Sequence, residues 1–308
     1  MRKLVITIVI ISVFSQIVAQ PLQYFMQRSS TNIASISEVQ SLQVLLSGSH
    51  SFVGFEGAPR NTLLNIASPI MEKQSSGRHS QPPGVAWNPI TSSGKSARNF
   101  VGATISHESY GVHSIFQATA GYNYRMFVGD NANITFGIGG GIKNISSDYA
   151  KWEPEASVYS KKETLFSKQF GARFEIERLS VATFNNDNDY FGEIVWGRLW
   201  DGTSDISAFD NWLGKEKTWH GQLSVMGRYN SETKSGVVRI SANAVYKDGL
   251  GVGISYQTDR DLSVNVSLRF SKQLRVGYAY QLMCFNPMVK KHETIVRYKL
   301  GQKFDNKK

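Results

Sequence analysis

Three groups of residues have the side chains that catalysis or ligand binding requires. The glycine tract at residues 137–141 could hold a phosphate, and the Asn/Asp run at 185–189 could supply oxygen ligands to calcium. Four histidines lie near a Ser or Glu, as in a lipase: His107, His113, His220 and His292. No Lys-Ser/Thr follows the glycines, and the acidic run lacks the distal Glu of a calcium loop. The histidines are weak evidence for a lipase, because residues adjacent on a strand point to opposite faces. The sequence predicts no catalytic, metal or cofactor site and no enzyme.

The glycine tract belongs to a segment, residues 115–143, in which apolar and polar positions alternate on both sides of a turn at Gly129 and Asp130. Period-two alternation predicts a β-hairpin with one apolar and one polar face. The apolar face could meet a second sheet in a soluble sandwich, or lipid around an outer-membrane barrel. Strands of soluble domains usually run about five or six residues, so arms of roughly ten favour the barrel.

Similar arms continue along the chain. We count about fourteen, at residues 40–48, 62–70, 99–106, 115–126, 132–142, 166–176, 179–184, 191–200, 219–229, 238–246, 251–257, 262–270, 274–282 and 294–300. The connections alternate between short turns and mostly longer loops, as in bacterial barrels with both ends in the periplasm. Two long connections, 71–98 and 201–216, would be periplasmic exceptions. The predicted fold is all-β, an antiparallel outer-membrane barrel of about 14 strands, with residues 20–308 as a single domain.

The amino terminus predicts export. Arg2 and Lys3 precede an apolar run, and a cleavage site near Ala19-Gln20 would make residues 1–19 a signal peptide. The single cysteine, Cys284, excludes an intramolecular disulfide framework. The formal charge of +10 comes without a nucleic-acid-binding motif. We therefore assign the basic excess to a polar lumen, to loops and to anionic lipid headgroups, and expect outer-membrane lipid but no nucleic acid as a partner.

The polar face of the arms predicts the lining of the lumen. It carries Arg125, Arg173, Arg269, Arg275 and Arg297, together with Glu175 and Glu293. These residues could form a salt-bridged wall or an anion-favouring channel. Gly137, Gly139 and Gly141 share this face, where they could clear space and permit curvature, or let a plug or peptide approach closely. The apolar face carries expected interfacial aromatics, namely Tyr122, Tyr124, Trp219, Tyr229, Tyr278 and Tyr280.

Two stretches resemble a known family. The first resembles the WVGF-D/E-GAP-K/R segment of the PorP/SprF family, which are outer-membrane proteins of the Bacteroidota type IX secretion system. It consists of Phe52, Val53, Gly54, Phe55, Glu56, Gly57, Ala58, Pro59 and Arg60. The carboxyl-terminal part resembles that family's closing GYxY and HExxLRY strands at Gly277, Tyr278, Tyr280, His292, Glu293, Arg297 and Tyr298. The sequence departs from the family's early NPAYAG stretch, which appears at residues 32–37 only as NIASIS, and residues 71–98 resemble an insertion.

The resemblance implies a function that the alternation does not. A PorP/SprF-like barrel would support secretion or surface retention of type IX cargo. It would bind a cargo's carboxyl-terminal sorting domain at its outer loops, or a periplasmic linker protein at residues 71–98 and 201–216. Residues 52–59 could fold inward as a plug or stand out as a docking knob. The alternative function is a modest porin for small solutes.

Overall fold

The computed structural model describes residues 24–39, 41–51, 57–70, 98–128, 132–149, 160–176, 179–197, 219–246, 249–258, 261–271, 273–283 and 290–300. An α-helix, α1 (Tyr24–Thr31), and a 3-10 helix (Ile33–Glu38) come first. Fourteen strands follow: β1 (Leu42–Ser51), β2 (Arg60–Ile70), β3 (Asn99–Tyr110), β4 (His113–Val128), β5 (Ala132–Ser147), β6 (Lys161–Ile176), β7 (Leu179–Asn186), β8 (Asp189–Gly197), β9 (Trp219–Asn230), β10 (Ser235–Tyr246), β11 (Leu250–Gln257), β12 (Asp261–Arg269), β13 (Leu274–Met283) and β14 (Lys290–Leu300).

The strands form one closed barrel. Each strand pairs antiparallel with its neighbours in the chain, and β1 closes the sheet by pairing with β14, Leu42 opposite Leu300. Closure satisfies backbone groups that would otherwise be left without partners at a sheet edge. The prediction of an all-β barrel with about fourteen strands is confirmed, and the glycine-containing hairpin forms β4 and β5. The predicted signal peptide lies outside the described residues.

The outer face of the barrel is apolar. Successive strand residues point to opposite sides of a sheet, so period-two alternation places one apolar set outward. Phe136, Ile138 and Ile240 are 50%, 56% and 55% exposed. Such exposure of large apolar side chains all around the barrel would be unfavourable in water, but it suits contact with lipid tails. In the parts of the chain that the structure describes, no helix has the length and apolar character of a membrane span.

The interior is packed. One apolar cluster joins the 3-10 helix to the wall through Ile33, Ile36, Val39, Ala67, Phe100, Phe184 and Met226. A second cluster joins α1 to the wall through Met26, Leu45 and Ile295. These contacts hold the amino-terminal segment, residues 24–39, inside the barrel. The two helical elements of this segment were not among the predicted elements.

Several strands are longer than predicted. The arm predicted at 99–106 ends too early, because His107 still pairs with Phe116 and Ser109 with Ser114 before the chain turns. Likewise β6 begins at Lys161 instead of residue 166, where Lys161 already pairs with Ser147. Backbone pairing continues at these strand ends, but the residues are polar on both faces. Hydrophobic alternation therefore stops before the strand does.

Candidate functional site: the filled lumen

The amino-terminal segment runs through the lumen before it enters the wall. Gln27 Nε2 donates to Glu293 Oε1 on β14 at 2.5 Å and to Ser47 Oγ on β1 at 2.9 Å. Ser29 Oγ donates to Asn65 Oδ1 on β2 at 3.1 Å. Further along, Ser37 Oγ donates to Thr135 Oγ1 on β5 at 3.4 Å. The segment thus contacts strands on different sides of the barrel, and it crosses the space that an open pore would need.

A stripe of inward-facing glycines receives the 3-10 helix. A Cβ atom at Gly121 would lie 2.1 Å from Ile33 Cδ1, and one at Gly171 would lie 2.8 Å from Ile33 Cγ2. At Gly137 the added atom would lie 3.2 Å from the backbone nitrogen of Ala34. Side chains at these positions would occupy the volume that the helix fills. The glycine stripe therefore provides the close approach of another backbone.

Gly139 and Gly141 differ from each other in what they face. A Cβ at Gly139 would meet Ala120 O at 2.9 Å and Ile33 Cδ1 at 3.1 Å. A Cβ at Gly141 would meet the carbonyl oxygen of Ala118, on the neighbouring strand β4, at 1.9 Å. Gly141 therefore serves the close packing of the sheet itself, whereas Gly139 borders the amino-terminal segment as well.

Charged side chains link the segment to the wall. Arg28 Nη1 lies 2.9 Å from Glu38 Oε1, and Arg28 Nη2 lies 3.1 Å from Glu193 Oε1 on β8. Arg173 on β6 also pairs with Glu38, and it lies 3.6 Å from Glu175. The side chains of Arg28 and Glu193 are only 8% and 1% exposed. Removing one member of such a buried set leaves an uncompensated charge, which costs more than the pair contributes when intact.

Wall residues also satisfy the backbone of the 3-10 helix. Asn123 Nδ2 donates to the carbonyl oxygen of Ile33 at 2.7 Å, and Arg125 donates to the carbonyl oxygen of Ser37. Within the segment, Asn32 caps the 3-10 helix by accepting from the Ala34 nitrogen at 2.9 Å. The Arg125 guanidinium also lies 4.7 Å from the centre of the Phe100 ring, a cation–π contact. Polar groups of a non-regular segment are thereby paired away from bulk water.

The other half of the inner wall is also filled. On β10 to β13 the inward side chains are themselves buried, among them Arg239, Asn243, Ser255, Asn265 and Arg275, each at most 8% exposed. Asn265 Nδ2 donates to Asn243 Oδ1 at 3.3 Å, and the Ser255 and Ser263 hydroxyls lie 2.5 Å apart. Polar side chains from neighbouring strands therefore fill the space that the amino-terminal segment leaves.

The predicted lumen arginines fall into two groups. Arg125, Arg173 and Arg275 face inward and are 9%, 5% and 7% exposed. Arg269 and Arg297 are half-buried, and Arg269 Nε donates to the Ser271 carbonyl oxygen at 3.1 Å. Arg173 is in the network with Glu38. Sequence reasoning missed Arg28, Glu38 and Glu193, although Glu193 alternates with apolar residues on β8 as a lumen residue would.

The family-like segment between β1 and β2 is described from Gly57 onward. Gly57 has a φ of 73°, which favours glycine, and its carbonyl oxygen accepts from the Gly111 nitrogen at 2.7 Å. Ala58 is buried, the Pro59 carbonyl accepts from the Ser51 nitrogen at 2.9 Å, and Arg60 Nε donates to His50 Nε2 at 3.0 Å. Phe52, Gly54, Phe55 and Glu56 lie outside the described residues, as do residues 71–97 and 201–216.

The closing-strand motif is divided between the two faces. Tyr278 and Tyr298 are 43% and 37% exposed on the outer face, and the Tyr278 hydroxyl lies 2.5 Å from His292 Nδ1. Gly277 and Glu293 are buried on the inner face, where Glu293 accepts the Gln27 amide. Tyr122, Tyr124 and Tyr229 also point outward, Tyr280 is half-buried, and the side chain of Trp219 is not described. Their interfacial role remains a prediction.

The residues weighed for other chemistry are engaged in local structure. Asp189 accepts from Arg228 Nε at 3.0 Å and from Asn230 Nδ2 at 2.8 Å, and Asp187 has a φ of 54° in the turn after β7. His107 and His113 lie within 3.0 Å and 2.8 Å of the Ser114 and Ser147 hydroxyls. Across the described ranges, no group of three His, Cys, Asp or Glu side chains could hold a metal ion.

A closed fourteen-stranded barrel with an apolar outer face and a charged, filled interior defines an outer-membrane protein. The model of the family described as type IX secretion system membrane protein PorP/SprF matches residues 13–298. The chain therefore belongs to the PorP/SprF family of type IX secretion system membrane proteins, and its location is the outer membrane.

Comparison with solved structures finds an outer membrane protein, a channel and a porin. The Acinetobacter baumannii outer membrane protein Omp33 matches with 7% identity and a TM-score of 0.47, over 84% of this chain and 99% of that chain. The CymD monoaromatic hydrocarbon channel matches with 10% identity and a TM-score of 0.48, over 88% and 91%. The KdgM porin matches with 7% identity and a TM-score of 0.38, over 84% and 99%. No curated protein matches the chain.

Proposed function

We propose that this barrel is a non-enzymatic component that supports the secretion or cell-surface anchoring of specific type IX cargo, such as an adhesin with a carboxyl-terminal sorting domain. Family membership supports the link to type IX secretion. The observation that carries the proposal is the filled lumen, because Arg28, Glu38 and Arg173 tie the amino-terminal segment to the wall. A barrel filled in this way suits a docking and anchoring role better than passive diffusion of solutes.

In this proposal the two rims of the barrel are its binding surfaces. The outer loops bind the cargo's sorting domain, and a periplasmic linker protein binds the long connections at residues 71–98 and 201–216. A rigid, plugged barrel supplies an anchor in the membrane, since its wall and interior are mutually packed. The interior would then contribute stability to the barrel, and the rims would determine which partner binds.

Deletion of the gene tests the proposal. The surface proteome should lose one or a few large type IX cargo proteins, while general outer-membrane permeability to small dyes stays unchanged. Re-expression of the intact chain should restore the lost proteins. A deletion strain with a normal surface proteome would contradict the proposal, and a defect in small-solute uptake with an unchanged secretome would favour the porin.

A further inference from the structure

The outer rim of the barrel has a step between β6 and β7. Strand β6 pairs with β5 along its whole length, from Lys161 opposite Ser147 to Ile176 opposite Ala132. Its pairing with β7 begins only at Gln169, which lies opposite Asn186. About eight residues of β6 therefore extend beyond the end of β7, roughly 26 Å at 3.3 Å per residue. This extension is the free edge, residues 161–168.

Backbone groups of the free edge point away from β5. Lys168 shows the direction, because its nitrogen donates to Asp187 Oδ1 at 2.8 Å and its carbonyl accepts from the Asp187 nitrogen at 2.9 Å. Alternate residues of a strand direct their N–H and C=O groups to the same side. Lys162, Thr164 and Phe166 therefore present theirs along the same edge. No strand among the described residues pairs with them there.

The usual orientation of bacterial barrels would place the free edge at the extracellular rim. In the barrel's orientation with both ends in the periplasm, the β5–β6 connection is on the outer side. The strand ends of β7 and β8 near Asn186 and Asp189 lie opposite Gln169 and Asn230, and thus mark the ordinary rim. A closed barrel normally has no such edge, and exposed N–H and C=O rows are templates for another strand.

The side chains of the free edge define the partner's chemistry. Lys161, Lys162 and Lys168 give it a positive charge, and Glu163 is the one acidic residue within residues 161–168. Phe166 is 66% exposed and Leu165 is 40% exposed, one on each face of the extension. An added strand would therefore be favoured by apolar side chains that cover Phe166 and Leu165, and by carboxylates close to the lysines.

A second copy of this chain does not fit the edge. Two copies inserted in the same membrane would both run β6 from the extracellular side toward the periplasm, so they could not pair these edges antiparallel. Pairing would also bring the lysines of both copies into one sheet, where like charges are destabilising. The edge lysines thus act against self-association and leave the backbone groups available to a strand of opposite charge.

We infer that the free edge of β6 is a docking site for an extended, acidic strand of a partner protein, which binds by adding one strand to the β4–β5–β6 sheet. Main-chain hydrogen bonds to Lys162, Thr164 and Phe166 provide affinity, and the lysines and Phe166 provide selectivity. The inference rests on the proposed function in one respect, since it assigns the cargo contact of that function to this edge.

Binding of defined peptides to the intact protein in lipid nanodiscs tests the inference. The probes are a ten-residue peptide in which valine alternates with glutamate or threonine, and the same peptide with lysine in place of glutamate. Thr164→Pro removes the edge-directed N–H and leaves the flanking residues paired with β5, while Thr164→Val is the matched control. A difference in gel mobility between heated and unheated samples shows that each variant retains a folded barrel.

The acidic peptide should bind the intact protein, and Thr164→Pro should weaken binding about 10-fold or more, as expected for lost main-chain hydrogen bonds. Thr164→Val should bind as the unchanged protein does. Lys162→Glu with Lys168→Glu should weaken the acidic peptide and strengthen the lysine peptide. The inference would be overturned if the acidic peptide bound Thr164→Pro as tightly as it binds the intact protein, or if the two peptides bound the intact protein equally. Binding of lipopolysaccharide vesicles in place of either peptide would also overturn it.

Cells that carry the same variants separate this inference from the proposed function. If gene deletion strips cargo from the surface but Thr164→Pro does not, the cargo function stands and the edge is not its docking site. If deletion leaves the surface proteome unchanged while peptide binding depends on Thr164, the edge binds a strand but the cargo function is wrong. Loss of cargo in both strains, with retention in Thr164→Val, is the expected result.

Discussion

Replacing Gly137 by valine should loosen the amino-terminal segment inside the barrel. An added Cβ would lie 2.9 Å from Asn123 Oδ1 and 3.2 Å from both the Ala34 nitrogen and the Ile33 carbonyl carbon. Two of these neighbours are backbone atoms, which cannot rotate away. Valine adds two further methyl groups, so we expect overpacking that costs about 1–3 kcal/mol. The cost falls on the docked segment, because the wall itself is held by paired strands.

The assay measures how often the segment leaves its site. Ser35 is fully buried and its hydroxyl has no hydrogen-bond partner among the described residues, so a Ser35→Cys reporter costs little. In a background with Cys284→Ser, maleimide labelling at position 35 reports transient opening. A loss of about 1–3 kcal/mol should accelerate labelling by roughly 5- to 150-fold.

Gly192→Val is the matched control. Gly192 lies on the outer face of β8, and apart from its chain neighbours no atom of the described residues lies within 4 Å of a Cβ built there. This variant should label at the rate of the unchanged protein. Gly137→Val labelling at that same slow rate would refute the close packing of the segment on the glycine stripe, and equal acceleration in both variants would show that the effect is not local.

Two further substitutions test other parts of the structure. Arg28→Met leaves Glu193 charged and buried, so we expect a loss of about 3–5 kcal/mol in urea unfolding followed by tryptophan fluorescence. Adding Glu193→Gln should recover part of that loss, and no recovery would contradict the pairing. Ile138→Lys places a charge on the outer face, where Ile138 is 56% exposed, and should cost about 2–4 kcal/mol for folding into lipid vesicles. An unchanged folding yield with Ile138→Lys would place that face outside the lipid.

The barrel could be predicted from the sequence because its wall obeys a local rule. Lipid outside and polar groups inside impose period-two alternation on each strand, as in β4 and β5, and the alternation survives wherever both environments are present. Near Tyr110 and Lys161 the strands extend beyond the part of the wall that has lipid outside and polar groups inside. Backbone pairing therefore continues there without hydrophobic alternation.

The filling of the lumen could be predicted only in part. For the glycines at 137, 139 and 141 the sequence left two roles open, curvature of the sheet and close approach of a plug or peptide, and nothing in their spacing names the residues that come close. The amino-terminal segment that fills the space, residues 24–39, has a 3-10 helix, Ile33–Glu38, that is short and mixed in polarity, without the periodicity of an amphipathic helix. Its position depends on contacts such as Arg28 with Glu193, which are far apart in sequence and arise only when the barrel closes.

Single-channel conductance in planar bilayers tests most directly the central claim that this barrel is filled by its own amino-terminal segment. The intact protein should give no steady channels, because the segment and the packed polar side chains occupy the lumen of the described barrel. A variant lacking residues 24–38 should insert and conduct, which serves as the positive control for insertion. Steady, equal conductance from the intact protein and the deletion variant would contradict the claim.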